Sequence, residues 1–141
     1  MQLTDEQFTR DIGYSWRSIH GQVVHTMSAE WIWLSRLDGM SPTSLFKNED
    51  YPDRTAVRAR WDEIEAEVRA FMDNLQDSQL GETIHYQNTS GQPYGKKGFE
   101  ILAHLANHGT DHRAQILAML YQLDAPTVGQ DMIGYLIERD A

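Results

Sequence analysis

No cysteine occurs in this chain of 141 residues. Disulfides and thiolate zinc sites are therefore excluded, and any metal must be held by imidazole, carboxylate, amide or water. The chain has no thiol nucleophile of its own either. Positive charge is also scarce, with 12 Lys and Arg against 21 Asp and Glu and a net charge of −9. That balance opposes non-specific nucleic-acid binding and attraction to anionic membranes. The acidity serves solubility. No apolar run reaches the ~20 residues that span a bilayer. The start MQLTDEQFTRD is polar and carries no secretory signal. The expectation is a soluble cytoplasmic protein whose residues 1–141 form one domain with a real core.

What is present is helical. Thr4 and Gln7 form a capping-box pattern ahead of a short helix over Asp5–Arg10. After Gly13, a longer helix is expected over Trp16–Leu37, capped by Ser15 or Ser18. Ile19, Val23, Val24, Met27, Trp31, Leu34 and Leu37 make its apolar stripe, and Gly39 stops it. Residues 40–54 read as loop. Asp53 or Thr55 then caps a helix ending near Leu75, with Val57, Trp61, Ile64, Val68, Phe71, Met72 and Leu75 on one face. Residues 82–96 hold β-formers around Ser90-Gly91, which predicts a short hairpin. A helix over Lys97–Leu123 follows, with Phe99, Ile101, Leu102, Leu105, Ile116, Leu117, Leu120 and Leu123 expected inside. Asp124-Ala125-Pro126 stops it. A last short helix is expected over Gln130–Glu138. The fold class is all-α, a small helical bundle with a β-hairpin before its last long helix. Trp16, Trp31, Trp33 and Trp61 are assigned to the core, with Trp33 the candidate for a rim position.

Three of the six histidines stand one helical turn apart, His104, His108 and His112, in AHLANHGTDHRAQIL. Residues four apart project from the same helix face. An adjacent pair can share one metal ion, because each metal–nitrogen bond is about 2.0–2.1 Å. The whole run cannot, since His104 and His112 lie roughly 12 Å apart along the axis. One pair binds and the remaining histidine does something else. A third ligand must come from another segment, with His20, His25 and His85 as candidates. His25, in VVHTMSAEWIWLSRL, sits deepest in its helix and is preferred, although a lone His there is more often a core residue than a ligand. His20 and His85 read as surface or rim residues.

Two segments carry a family resemblance, SIHGQVVHTMSAEWIWLSRLDG early and EILAHLANHGTDHRAQILAMLYQLDAP late. With the polar hairpin between them, they make the chain resemble the DinB/YfiT-like superfamily of metal-binding four-helix bundles from about Leu3 onward. The resemblance implies His25 as the early ligand and His108 with His112 as the late pair. His104 matches a position that often carries His in the family without being a usual ligand; it would bond a backbone carbonyl or orient a ligand. Asn107, Arg113 and Gln115 fall in the same motif and would brace the ligands or face the substrate. Relatives include bacillithiol- and mycothiol-dependent transferases and isomerases. The family usually opens with a further long helix, which this sequence lacks or nearly lacks. Such a gap would expose an apolar groove, to be filled by the short first helix, a swapped segment or a second subunit, unless the chain begins at an internal start. An obligate homodimer is expected.

Three imidazoles leave a divalent ion at least one open position. Zinc or nickel is expected first, then iron or manganese. A structural zinc site would normally be closed by a fourth ligand. With no cysteine to serve, an open site is favoured, unless His104, His85 or a carboxylate completes it. Three readings follow. The first is a metal-dependent S-transferase using a low-molecular-weight thiol, with a small-molecule substrate. The second is a metal-dependent hydrolase using a bound hydroxide, with Glu30 as the nearest candidate base in sequence; a solvated or salt-bridged Glu is the commoner state. The third is a non-enzymatic, metal-binding, stress-related bundle protein. Arg113 could hold a substrate anion or pair with Asp111.

Overall fold

The computed structural model describes residues 3–141. Six helices and one hairpin follow in the order α1 (Asp5–Thr9), α2 (Ile19–Leu37), α3 (Arg54–Asn74), α4 (Asp77–Gly81), β1 (Thr83–Gln87), β2 (Pro93–Lys97), α5 (Gly98–Gln122) and α6 (Met132–Arg139). A single 3₁₀ turn, Asn48–Asp50, interrupts the loop before α3. Among the described residues the five-residue α1 precedes α2. No helix among the described residues is long and apolar enough to cross a membrane.

The central element is α2, which packs against both α3 and α5. Contact on two sides explains why even its polar residues Gln22, Thr26, Ser28, Ser35 and Arg36 are buried. On one side Val24 and Met27 meet Val57 and Ile64 of α3, with Trp31, Phe46, Tyr51 and Trp61 packed around them. At the N-terminal end of α2, Ile19 meets Phe8 of α1, Met119 of α5 and Leu123 just past the end of α5. The small helix α1 closes this end, held by its capping box and by Gln7 Nε2 donating to the Leu123 carbonyl at 2.9 Å.

Helix α2 starts three residues later than its sequence suggests. Ser15 and Arg17 have φ of 48° and 70°, a left-handed conformation that a right-handed helix cannot include. Ser18 is the cap, its hydroxyl accepting from the Gly21 N–H at 3.0 Å. The C-terminus is as expected, with Gly39 at φ +81°. The capping box Gln76–Gln79 builds α4, a short helix that the sequence reading leaves unassigned.

The hairpin pairs Tyr86 with Tyr94 and turns at Gly91, φ +79°. It lies against both α2 and α5. Three expectations about the core need correction. Phe99 is 55% exposed, and Met119, not among the residues expected inside, is wholly buried. Met72 is exposed on α3, because α3 packs mainly against α2. Trp16 is 45% exposed, because the left-handed turn around it carries it outside the helix. Trp31, Trp33 and Trp61 are half-buried.

Candidate metal centre

His25 on α2 and His108 and His112 on α5 bring one nitrogen each to a common point, all within 4.8 Å of one another. His108 is the middle of the three. Its Nε2 lies 3.3 Å from His25 Nε2 and 3.0 Å from His112 Nε2. Two nitrogens bound to one tetrahedral ion at 2.0–2.1 Å stand about 3.3 Å apart. The donor set and its spacing therefore fit a divalent ion. Among the described residues no fourth His or carboxylate joins the group.

The local reason is the meeting of two helix faces. His108 and His112 share a face of α5 through their four-residue spacing, and α2 packs along that face. Burial holds the ligands in their neutral form. It pushes the pKa of His25 down to about 4, helped by His112 and then His108. Burial also takes His108 down to about 4, with His112 and His104 adding to the effect, and lowers His112. Neutral imidazole is the form that binds metal.

Each ring is held differently. The Trp16 indole stacks on His25, 4.0 Å between centroids and 17° between planes. His25 Nδ1 has no hydrogen-bond partner among the described residues, so the Trp16 stack and the contact of Nε2 with His108 orient this ring. His112 is held by polar contacts. Gln22, fully buried, places its side-chain amide against His112 Nδ1. The same amide donates to Gln115 Oε1 at 3.0 Å and accepts from Ser15 Oγ at 2.9 Å. Ser15 Oγ also lies 2.6 Å from Gln115 Oε1, and Gln115 Nε2 donates to Asp111 Oδ2 at 2.9 Å. Gln115, expected to brace a ligand or face the substrate, reaches Gln22, Ser15 and Asp111 and no ligand ring directly. In the sequence Gln22 has no assigned role, Ser15 only a capping one and Trp16 only a core one. Gln22 stands three residues before His25, on the same helix face, and that spacing was the available signal.

The other candidate residues stand further out. His104 is exposed, set edge-on to Trp33 at 4.9 Å and 5.5 Å from the His108 ring. Asn107 is exposed. Arg113 donates to Thr110 Oγ1 at 3.0 Å on its own helix, faces α6 across an open groove, and makes no ion pair with Asp111. Glu30 accepts from the Trp61 indole at 2.7 Å, and burial raises its pKa. His20 corrects the rim assignment. It is buried, with Nε2 2.6 Å from the Tyr51 carbonyl and its ring near Phe8, because α1 and the 3₁₀ turn cover the start of α2. His85 is exposed on β1.

The model of the DinB family matches residues 1–139. A crystal structure of a DinB-like protein from Bacillus cereus ATCC 10987 is similar in fold, with a TM-score of 0.63 and 23% identity over 92% of this chain and 83% of that one. No curated protein matches the chain.

Proposed function

Because this chain belongs to the DinB family and turns three imidazole nitrogens onto one point, we propose that it is a divalent-metal-dependent enzyme with an open three-histidine site, acting as a transferase with a low-molecular-weight thiol. The convergence of the three Nε2 atoms carries this reading. Zinc or nickel suits three nitrogen donors, and iron or manganese comes next. A bound ion would supply Lewis acidity, drawing the proton from a thiol whose ordinary pKa is about 8.5.

The chain's own residues bind, orient and shield. With Nε2 of His112 turned to the ion, the ring proton resides on Nδ1. The Gln22 amide lies against that nitrogen and holds the ring in place. Trp16 covers one face of His25 and keeps water from it. Arg113 and Asn107, exposed on α5, are the substrate-side groups of this reading. In the transfer, the thiol sulfur forms a bond to an electrophilic carbon of the small substrate. The leaving group departs with its electron pair, and the thiol proton passes to solvent.

A hydrolase is the second reading, and one observation favours it. Glu30 is half-buried, and burial raises its pKa, which makes its carboxylate a better proton acceptor than a solvated one. A homodimer is proposed alongside, because Met132, Ile133, Tyr135 and Ile137 of α6 all lie 60–74% exposed. A concentration-independent monomer in sedimentation would refute it.

Elemental analysis and X-ray absorption of protein purified without a His tag test the main reading. One ion per chain with three nitrogens and an exchangeable light ligand, replaced by sulfur when a small thiol is added, is the expected result. No ion bound after addition of zinc, nickel, iron or manganese overturns it.

A further inference from the structure

Three aromatic rings meet edge to face where α2, the hairpin and α5 come together. Trp33 stands at 75° to Tyr86 with 5.3 Å between ring centres, and at 65° to His104 with 4.9 Å. With Lys96, Glu100 and Ile101 they line a cavity of about 250 Å³. The guanidinium of Arg36 packs 4.4 Å from the centre of Trp33 and 4.8 Å from that of Tyr86. It is not a lining residue; it holds the two rings in place from outside. Walls fixed in advance lower the cost of binding.

The two charged lining residues come from different elements. Across the hairpin Lys96 pairs with Ile84, and Tyr94 with Tyr86. Directly opposed residues and residues two apart share a sheet face. Lys96 therefore leaves the hairpin on the side of Tyr86, which is the side turned to Trp33. Glu100 stands one helical turn before His104 and projects from the same face of α5. Neither Lys96 nor Glu100 forms an ion pair among the described residues, with each other or elsewhere. An ammonium and a carboxylate thus border one aromatic corner, and their charges cancel. A monoanion or a monocation gains one partner there and one like-charged neighbour. A group bearing both charges gains two partners. The volume falls below the ~300–1,000 Å³ of pockets for drug-sized ligands and suits a molecule of amino-acid size.

We propose that this cavity is a subsite for a zwitterionic α-amino acid with an apolar side group. Lys96 takes its carboxylate, Glu100 its ammonium, and the corner of Trp33, Tyr86 and His104 its apolar body. The His104 ring stands 5.5 Å from that of His108, so the bound molecule lies beside the histidine centre. What it then undergoes rests on the metal-dependent reading above; its binding does not.

The test uses metal-free full-length protein, since an amino acid would itself chelate a bound ion. L-phenylalanine is the probe. Its controls are hydrocinnamate, which lacks the ammonium, and phenethylamine, which lacks the carboxylate. Calorimetry and the NMR signals of the Ile101 methyls follow binding. Phenylalanine should shift those methyls and bind about tenfold or more tighter than either control. On Lys96→Gln it should bind no better than phenethylamine. On Glu100→Gln, which keeps the capping-box pattern of α5, it should bind no better than hydrocinnamate. Both side chains are exposed, so these variants should fold. His108→Ala should still bind phenylalanine, even though that variant is expected to lose metal. Binding of either control as tight as that of phenylalanine, by the unaltered protein, overturns the proposal. So does the absence of phenylalanine binding at about 10 mM, or a variant that keeps the preference it should lose.

Discussion

His108 carries more of the centre than either neighbour, because its Nε2 is within 3.3 Å of both other nitrogens. His108→Ala and His112→Ala should each abolish most metal binding, while His104→Ala retains it. Equal loss in all three, measured by zinc titration, would refute the assignment. Gln22→Ala should keep the protein folded and lower metal affinity about 10–100-fold, the usual effect of removing a group that orients a ligand ring. An unchanged affinity would mean that His112 needs no such brace. At this scale the sequence was most readable where spacing alone decides. The His108–His112 pair shares a face on any helix, whatever surrounds it. Gln22 could not be read as a brace, because its role depends on α5 bringing His112 beside it from 90 residues away. Arg36 was equally opaque. An arginine near a helix C-terminus ordinarily faces water, and only the hairpin folding over α2 encloses this one.

Helix α2 depends on its first turn. Ser18 caps it, and the turn before it folds back so that the Trp16 carbonyl sits where a side chain on Gly21 would have to go. Ser18→Ala should cost about 1 kcal/mol in chemical denaturation. Ser15→Ala, which removes no cap, should leave the helix N-terminus intact by amide exchange. If Ser15→Ala exposes the Gly21–Val24 amides as much as Ser18→Ala does, the cap is misassigned. The positions of the main elements were legible from apolar periodicity and from the stop signals at Gly39 and Asp124. The start of α2 was not, since Ser15 and Ser18 are equally good caps on paper. Left-handed φ at two non-glycine residues leaves no trace in composition. Phe99 failed as a core residue for a related reason. Its helical position faces inward only if another element covers that side of α5.

Across the whole molecule, the buried histidines tie stability to acidity. The pKa of His25 and of His108 in the fold, about 4, lies below the ordinary 6.5. Between these values the unfolded chain takes up protons that the folded chain refuses. Metal-free protein should therefore hold its full stability above about pH 6.5 and lose it progressively as pH falls toward 4. Urea denaturation at a series of pH values checks this. A flat profile across that interval would mean that the rings are not desolvated as placed. Zinc binds only the folded arrangement of neutral imidazoles and should shift the loss to lower pH.

The left-handed turn before α2 has one more consequence. It leaves Trp16 with one face toward solvent and the other 4.0 Å from the centre of a candidate ligand ring. Light absorbed by that indole is emitted or quenched according to what its imidazole neighbour is doing. The protein therefore carries its own optical gauge of the centre, readable in dilute solution without a dye.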